Sequence, residues 1–330
     1  MPICVSCESL FKVPSNSSWN RQYCDICRSS NSHYWRKSKI SSIPIQVDKA
    51  EIPEDADYET LKETFLLTTK VFQKTNMTPS EITVRIDAPR PIGVVFTSDW
   101  QIGGGGVDYE KLFIDIETIR DHPGLYTMWG GDSMDLFLKQ SHLAAAKTLS
   151  IGPSLQYKLT QRIAEEIAPN TICLCWVNHD DWVYGATGLD FMRELAQQNK
   201  LVYIGQGAII NLFVGSQQYR IFRRHKARFN SAYNKTHPAK QMWTFGPADA
   251  DILITEDKHV PAMEPFTRHG QRKWAFVCGT YKVKDRFADE HGFYGMEALN
   301  PTAVLFPNTK EVIGFIDMYQ AIEYLRLYYE

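Results

Sequence analysis

The chain has 330 residues, of which 44% are hydrophobic and 22% are charged, an ordinary composition for a globular protein. Its formal net charge of −2 excludes a uniformly basic coat for nucleic acid but is compatible with local basic regions. No run approaches the roughly 18 apolar residues that a membrane span requires, and the first residues lack a signal-peptide pattern. We therefore expect a cytoplasmic protein that does not enter membranes.

Two cysteine pairs stand near the start of the chain. Sixteen residues separate the C-x2-C pair Cys4 and Cys7 from the pair Cys24 and Cys27. Each pair can present two thiolates to one ion, so together they predict a structural Cys4 zinc site. We interpret residues 1–40 as a zinc ribbon whose folding energy comes from the metal.

The predicted ribbon also carries basic and aromatic side chains, a combination that suits contact with nucleic acid. Zinc ribbons also dock proteins, so a protein partner is the alternative. A homo-oligomer is compatible with the sequence as well. The other three cysteines, Cys173, Cys175 and Cys278, lie in apolar runs and are predicted to be core residues.

Residues 41–90 are predicted to form a linker and one amphipathic helix, which the apolar spacing places over 58–75. From residue 91 onwards, short apolar runs alternate with helical patterns. We predict strands over 92–98, 125–131 and 171–177, and helices over 108–120, 154–168 and 189–199. This alternation indicates parallel strands joined by crossover helices, and hence an α/β domain over residues 91–330.

After residue 200, strand patterns dominate. The predicted strands are LVYI (201–204), AIINLFV (208–214), QYRIFR (218–223), DILIT (251–255), WAFVCG (274–279) and TAVLF (302–306). The second half of the domain is therefore expected to be richer in strands than the first.

Polar residues recur where these predicted strands end. The strand ends read SDWQ (98–101), GGDSMD (130–135), VNHD (177–180), RH (224–225) and TEDKH (255–259). In open α/β sheets, ligands bind outside the carboxyl ends of strands. Carboxylates, an amide oxygen and imidazoles brought together there suit a divalent metal.

The ordered pieces DWQ, GDSMD, VNHD, His225 and EDKH resemble the signature of the calcineurin-like metallophosphoesterases, which include Mre11-like nucleases. The family pattern reads D-x-H, G-D-x-x-D, G-N-H-[DE], a lone His and G-H-x-H. The resemblance implies a sandwich of two mixed β-sheets flanked by helices.

The resemblance further implies a site with two metals. Asp99, Gln101 and His259 would hold the first ion, Asn178, His225 and Asp257 the second, and Asp132 would bridge both. His179 matches the family's catalytic histidine, with Asp135 or Asp180 orienting it. If the last two motifs are aligned differently, His237 and His269 are the alternatives.

Two metal-ligand positions depart from the family pattern, because Gln101 and Asp257 stand where histidines are usual. The extra carboxylate favours harder ions. We therefore expect Mn²⁺, with Mg²⁺, Fe and Zn²⁺ as alternatives. Glycine is also replaced twice, by Val177 and by Glu256.

Residues 217–240 contain seven Lys or Arg and no acidic residue, with aromatic side chains between them. A basic stretch around a metal-ligand position would attract a polyanion. The nucleic-acid-binding residues predicted from it are Arg220, Arg223, Arg224, Lys226 and Arg228. The alternative interpretation is a solvated edge strand protected by its charges.

The sequence therefore predicts a metal-dependent hydrolase of phosphodiester bonds, a nuclease acting on DNA. The first alternative is a phosphatase acting on nucleotides, phosphomonoesters or phosphoproteins. The second is a non-catalytic scaffold that binds nucleic acid or a protein.

Overall fold

The computed structural model describes residues 57–76, 80–136, 151–175, 179–228, 230–231, 233–246, 249–284 and 297–329, with the backbone alone at 71–76, 180–181 and 186–187. The predicted zinc ribbon with Cys4, Cys7, Cys24 and Cys27 lies outside the described residues. So do Asn178 and the side chain of Asp180.

The described residues form seven α-helices and one short 3₁₀ turn, Ala168–Asn170. The helices are α1 (Tyr58–Asn76), α2 (Tyr109–Asp121), α3 (Pro153–Ile167), α4 (His179–Thr187), α5 (Phe191–Gln198), α6 (His237–Phe245) and α7 (Met318–Tyr329). None of them is both long enough and apolar enough to cross a bilayer.

Five strands form the first sheet, in the order β11-β10-β2-β3-β4. They are β2 (Ile92–Thr97), β3 (Leu125–Trp129), β4 (Thr171–Leu174), β10 (Thr302–Leu305) and β11 (Val312–Phe315). Strands β2, β3 and β4 are parallel, whereas β10 is antiparallel to both of its neighbours. The crossover arrangement predicted for this half of the domain is therefore confirmed.

Six strands form the second sheet, in the order β1-β5-β6-β7-β9-β8. They are β1 (Glu81–Ile86), β5 (Gly207–Val214), β6 (Gln217–Arg224), β7 (Ile252–Thr255), β8 (Ala262–Arg268) and β9 (Gln271–Val277). This sheet is also mixed, because β6, β7 and β9 run parallel while β5–β6 and β8–β9 are antiparallel pairs. Two mixed sheets accompanied by helices confirm the predicted fold class.

One hydrophobic core lies between the two sheets. Strand β2 is buried at all six positions, as expected for an apolar strand covered on both faces. Phe96 of this strand meets Phe276 of the other sheet with ring centroids 4.9 Å apart. A second core joins the five-stranded sheet to helices α2, α3, α5 and α7. A third, smaller core lies between α6 and the outer face of the six-stranded sheet.

Two sequence predictions about the fold need correction. The run LVYI (201–204) is not a strand, since only Tyr203 makes an isolated bridge, to Leu174. Its apolar side chains are buried because the segment packs into the core, a signal that sequence alone cannot separate from strand pairing. Strand β1 lies inside residues 41–90, where the sequence predicted a linker and a helix but no strand, and it pairs with β5.

Candidate metal centre

The loops that follow the strand ends share an unusual backbone conformation. Seven non-glycine residues in the described part of the chain have positive φ, and five of them are predicted metal ligands: Asp99 (51°), Gln101 (52°), Asp132 (54°), Asp257 (65°) and His259 (57°). Left-handed backbone at such residues costs energy and persists only where the surroundings impose it. The strain is therefore concentrated where the sequence places the site.

Backbone hydrogen bonds join the loop after β2 to the loop after β3. The N–H of Asp99 donates to the carbonyl of Gly131 at 2.9 Å, and the N–H of Gln101 donates to the carbonyl of Asp132 at 3.0 Å. Between them, the buried ring of Trp100 stacks on Trp129 with centroids 4.3 Å apart. These contacts hold three predicted ligand positions on one rigid platform.

Asp99 and His259 form the first cluster. Atom Nε2 of His259 lies 3.1 Å from Oδ1 of Asp99, and the backbone N–H of Asp257 donates to Oδ2 of Asp99 at 3.3 Å. Burial alone would lower the pKa of His259, but the hydrogen bond and charge of Asp99 raise it above its usual value. Gln101 is buried in the same loop as Asp99.

Asp132, His225 and Asp257 form the second cluster. Atom Nε2 of His225 lies 3.4 Å from Oδ2 of Asp132 and 3.6 Å from Oδ1 of Asp257. One ligand atom from each of the three residues lies within 4.8 Å of the others. Two carboxylate oxygens and one imidazole nitrogen at this spacing fit a hard or borderline divalent ion.

Charge also couples the members of this second cluster. Burial alone would lower the pKa of His225, but the facing carboxylate of Asp132 and hydrogen bonds to acidic neighbours raise it well above its usual range. Burial alone would raise the pKa of Asp132, yet His225 and His179 hold it below its usual value. An anionic pocket around a nitrogen ligand is the electrostatic setting that a cation requires.

His179 begins helix α4, beside both Asp132 and Asp135. Its backbone N–H donates to Oδ1 of Asp132 at 3.2 Å, and its Nδ1 lies 3.8 Å from Oδ1 of Asp135. Lys282 donates from Nζ to the other oxygen of Asp135 at 3.0 Å. Burial lowers the pKa of His179 despite the two nearby carboxylates, so the neutral imidazole is favoured.

The two alternative histidines lie elsewhere. His237 is the first residue of α6, and His269 occupies the turn between β8 and β9, with its ring 5.1 Å from that of Trp243. His225 and His259, unlike these two histidines, lie against the predicted carboxylates of Asp132 and Asp99.

The basic side chains of residues 217–240 differ in their exposure to solvent. Arg224, Lys226 and Arg228 are exposed, while Arg220 is half-buried and pairs with Glu81 at 3.5 Å. The predicted contact of Arg223 with nucleic acid is wrong, because this side chain is fully buried between the sheets.

Sequence reasoning missed Glu256. Its carboxylate is fully buried, pairs with Arg223, and lies 2.9 Å from Nδ1 of His225. The available signal was a glutamate directly after a buried strand, together with an arginine at an inward position of β6.

Neither a family model nor a curated protein matches the sequence. Solved structures do show similarity to it. Vacuolar protein sorting 29 from Cryptosporidium parvum aligns over 68% of this chain and 97% of its own, with 12% identity and a TM-score of 0.36. A metallophosphoesterase from Sphaerobacter thermophilus aligns over 72% and 94%, with 12% identity and a TM-score of 0.36.

Vacuolar protein sorting 29 from Entamoeba histolytica, in a zinc complex, aligns over 68% of this chain and 97% of its own, with 11% identity and a TM-score of 0.29. At these identities and TM-scores, the similarities establish neither a family nor an activity for this chain. A function for this chain must therefore be inferred from its own residues.

Proposed function

We propose that the chain is a dinuclear metal-dependent phosphoesterase. The observation that carries the proposal is the convergence of Asp99, Asp132, His225, Asp257 and His259 at adjoining strand ends. Oxygen and nitrogen donors in this number suit two divalent ions. The backbone link from Asp257 to Asp99 places the two clusters side by side.

The residues divide between the two ions as follows. Asp99, His259 and Gln101 would hold the first, and His225 and Asp257 would hold the second together with Asn178. Asp132 would bridge them, because its loop is bonded to that of Asp99 and its Oδ2 faces His225. With a carboxylate at position 257 in place of an imidazole, Mn²⁺ is the ion we expect first.

Divalent ions bound there would supply charge neutralisation on a phosphoryl group and activation of an attacking water. The protein's own contribution centres on His179, which would donate a hydrogen bond or proton to the leaving oxygen. Asp135 would orient the His179 ring; its Oδ1 lies 3.8 Å from Nδ1 of His179, and its other oxygen accepts from Lys282.

The proposed substrate is a phosphodiester bond in DNA, which would make the enzyme a nuclease. Exposed basic side chains support this choice, because Lys226 lies 3.3 Å from Asp257, at the rim of the site. A polyanion attracted by Arg224, Lys226 and Arg228 would reach the proposed metals directly. The predicted zinc ribbon would be a further contact to nucleic acid. We also propose that the protein is cytoplasmic.

A substrate panel tests this proposal. The full-length protein is incubated with Mn²⁺ and labelled single- and double-stranded DNA and RNA, with p-nitrophenyl phosphate and bis-p-nitrophenyl phosphate in parallel. DNA cleavage that is lost in His179→Ala is the expected result. Ester turnover without polymer cleavage would identify a phosphatase instead. No turnover of any substrate would favour a non-catalytic scaffold.

A further inference from the structure

A fully buried carboxylate, that of Glu256, lies behind the second metal-ligand cluster. Its Oε2 accepts hydrogen bonds from the hydroxyl of Ser98 at 2.7 Å and from the backbone N–H of Gly131 at 2.9 Å. The same oxygen lies 2.9 Å from Nδ1 of His225, and Oε1 accepts from Nε of Arg223. Glu256 therefore contacts the ends of strands from both sheets.

Arg223 spans the gap between the two sheets. It belongs to β6 of the six-stranded sheet, and its guanidinium donates to the backbone carbonyls of Thr97 and Met128 in β2 and β3 of the other sheet. Its side chain is fully buried. An arginine in this position keeps the Glu256 carboxylate ionised and fixed, because burial of either charge without its partner is costly.

Glycine at position 130 makes room for this arrangement. A Cβ atom there would collide with the carboxylate of Glu256 and with the hydroxyl of Ser98. The close approach of Glu256 to the end of β3 therefore depends on the absence of a side chain at Gly130.

The position of the carboxylate bears on which nitrogen of His225 can bind a metal, because Oε2 of Glu256 lies 2.9 Å from Nδ1. With Glu256 accepting a hydrogen bond from Nδ1–H, the lone pair of a neutral ring is on Nε2. Nε2 is the atom that faces Asp132 and Asp257, at 3.4 Å and 3.6 Å. A carboxylate on the far nitrogen of a ligating histidine fixes its tautomer and orientation and raises its basicity.

Glu256 could itself be considered a ligand, because its carboxylate lies within 4.8 Å of ligand atoms of Asp99 and His225. Its oxygens, however, already accept from Arg223, Ser98 and Gly131 and contact His225. We propose that the buried Arg223–Glu256 pair is a positioning device that holds His225 with Nε2 presented to the second divalent ion. This inference rests on the proposed function, since it assigns a role within the same site.

Paired variants separate positioning from simple structural support. Arg223→Met with Glu256→Met removes both charges and the acceptor for His225. Arg223→Met with Glu256→Gln removes both charges but keeps an acceptor oxygen. Mn²⁺ binding to the metal-free full-length proteins is measured by titration calorimetry, and the thermal unfolding of each is measured without metal.

We expect wild type to bind two ions and the methionine pair to bind one of them 10–100-fold more weakly, the loss typical of removing such a partner. The ion held by Asp99 and His259 should bind as before, and the glutamine pair should lose less than tenfold. The proposal would be overturned if both variants bound Mn²⁺ with the wild-type affinity, or if the affinity fell equally for both ions.

The variant Glu256→Asp covers the case in which the methionine pair does not fold. It keeps the charge opposite Arg223 but retracts the carboxylate from His225, so one ion should bind at least tenfold more weakly. Affinity equal to that of wild type would contradict positioning. Wild type that binds two ions but hydrolyses no ester would refute the proposed function alone, whereas wild type that binds no Mn²⁺ would refute both.

Discussion

The backbone N–H of His179 donates to Oδ1 of Asp132 at 3.2 Å, joining the first residue of helix α4 to the loop after strand β3. The other oxygen of Asp132 faces Nε2 of His225 at 3.4 Å. One carboxylate thus touches both the proposed proton donor and a proposed metal ligand. Loss of the His179 side chain should therefore affect turnover, whereas loss of the Asp132 side chain should affect metal binding.

Replacing His179 by Ala should slow ester hydrolysis by about 10²–10⁴-fold, the range for loss of a general acid or base. Bound Mn²⁺ should not change, since the backbone contact to Asp132 does not require the imidazole. Turnover and metal content are measured on the same samples. His237→Ala, on a histidine outside the site, is the matched control. Full activity of the His179 variant would refute its assigned role.

Replacing Asp132 by Ala should remove Mn²⁺ from one or both sites. The carboxylate is the bridging ligand in the proposed site, and its loss also leaves His225 without its closest acidic neighbour on that side. Elemental analysis after dialysis measures the bound metal, with Asp121→Ala in helix α2 as the control. Equal metal content in the two variants would contradict the bridging assignment.

Removing the exposed basic side chains Arg224, Lys226 and Arg228 together should weaken DNA binding. The dependence of log K on log salt should become shallower by about one unit for each phosphate that the variant no longer neutralises. Binding is measured at several salt concentrations, with Arg162→Ala on helix α3 as a charge control. An unchanged slope would show that these three side chains do not contact DNA phosphates, and the proposed DNA-binding surface would be wrong.

Thiol labelling should distinguish the two groups of cysteines. Cys173, Cys175 and Cys278 are buried, and burial raises the pKa of the Cys173 thiol to about 12. These three should stay unmodified by iodoacetamide until the protein is denatured. Chelation should expose only Cys4, Cys7, Cys24 and Cys27 if they bind zinc. Mass spectrometry counts the modified sites, and labelling that chelation leaves unaltered would refute the zinc ribbon.

The unfolding free energy should show a pH dependence that originates at Asp115. Burial raises the pKa of this carboxyl above its ordinary value of 3.8, even though Lys111 opposes the shift. The folded state therefore holds the proton more tightly than the unfolded state. This contribution is present in full below pH 3.8 and is lost as the pH rises through the raised value.

Comparison with Asp115→Asn isolates that contribution. The stability of wild type relative to the variant should fall between pH 4 and the raised pKa, and become constant above it. Denaturant titrations across this range measure the difference. If wild type and variant differed in unfolding free energy by the same amount at every pH, the raised pKa of Asp115 would be contradicted. Because the hydroxyls of Tyr281 and Tyr319 also donate to Asp115, the variant should be less stable overall.

Much of the site was predictable from sequence because the carboxyl ends of parallel strands meet at one edge of a sheet. Asp99 and Asp132 follow neighbouring parallel strands, and His225 and Asp257 follow another such pair. A local pattern, a short apolar run followed by polar residues, therefore predicted contacts between residues that are far apart in the sequence. The two mixed sheets were expected from the family resemblance, whereas the search for apolar runs missed β8, whose residues are all half-buried or exposed.

Tertiary structure alone decided what the interior charges do. By sequence, Arg223 belongs to a basic stretch and Glu256 follows an apolar run, yet the two form a buried pair across 33 positions. Composition and periodicity describe neighbours along the chain, whereas the cost of burying a charge depends on a partner supplied by another strand. Neighbouring strands β6 and β7 bring the two charges together, and the other sheet then covers them and supplies the Thr97 and Met128 carbonyls that accept from Arg223.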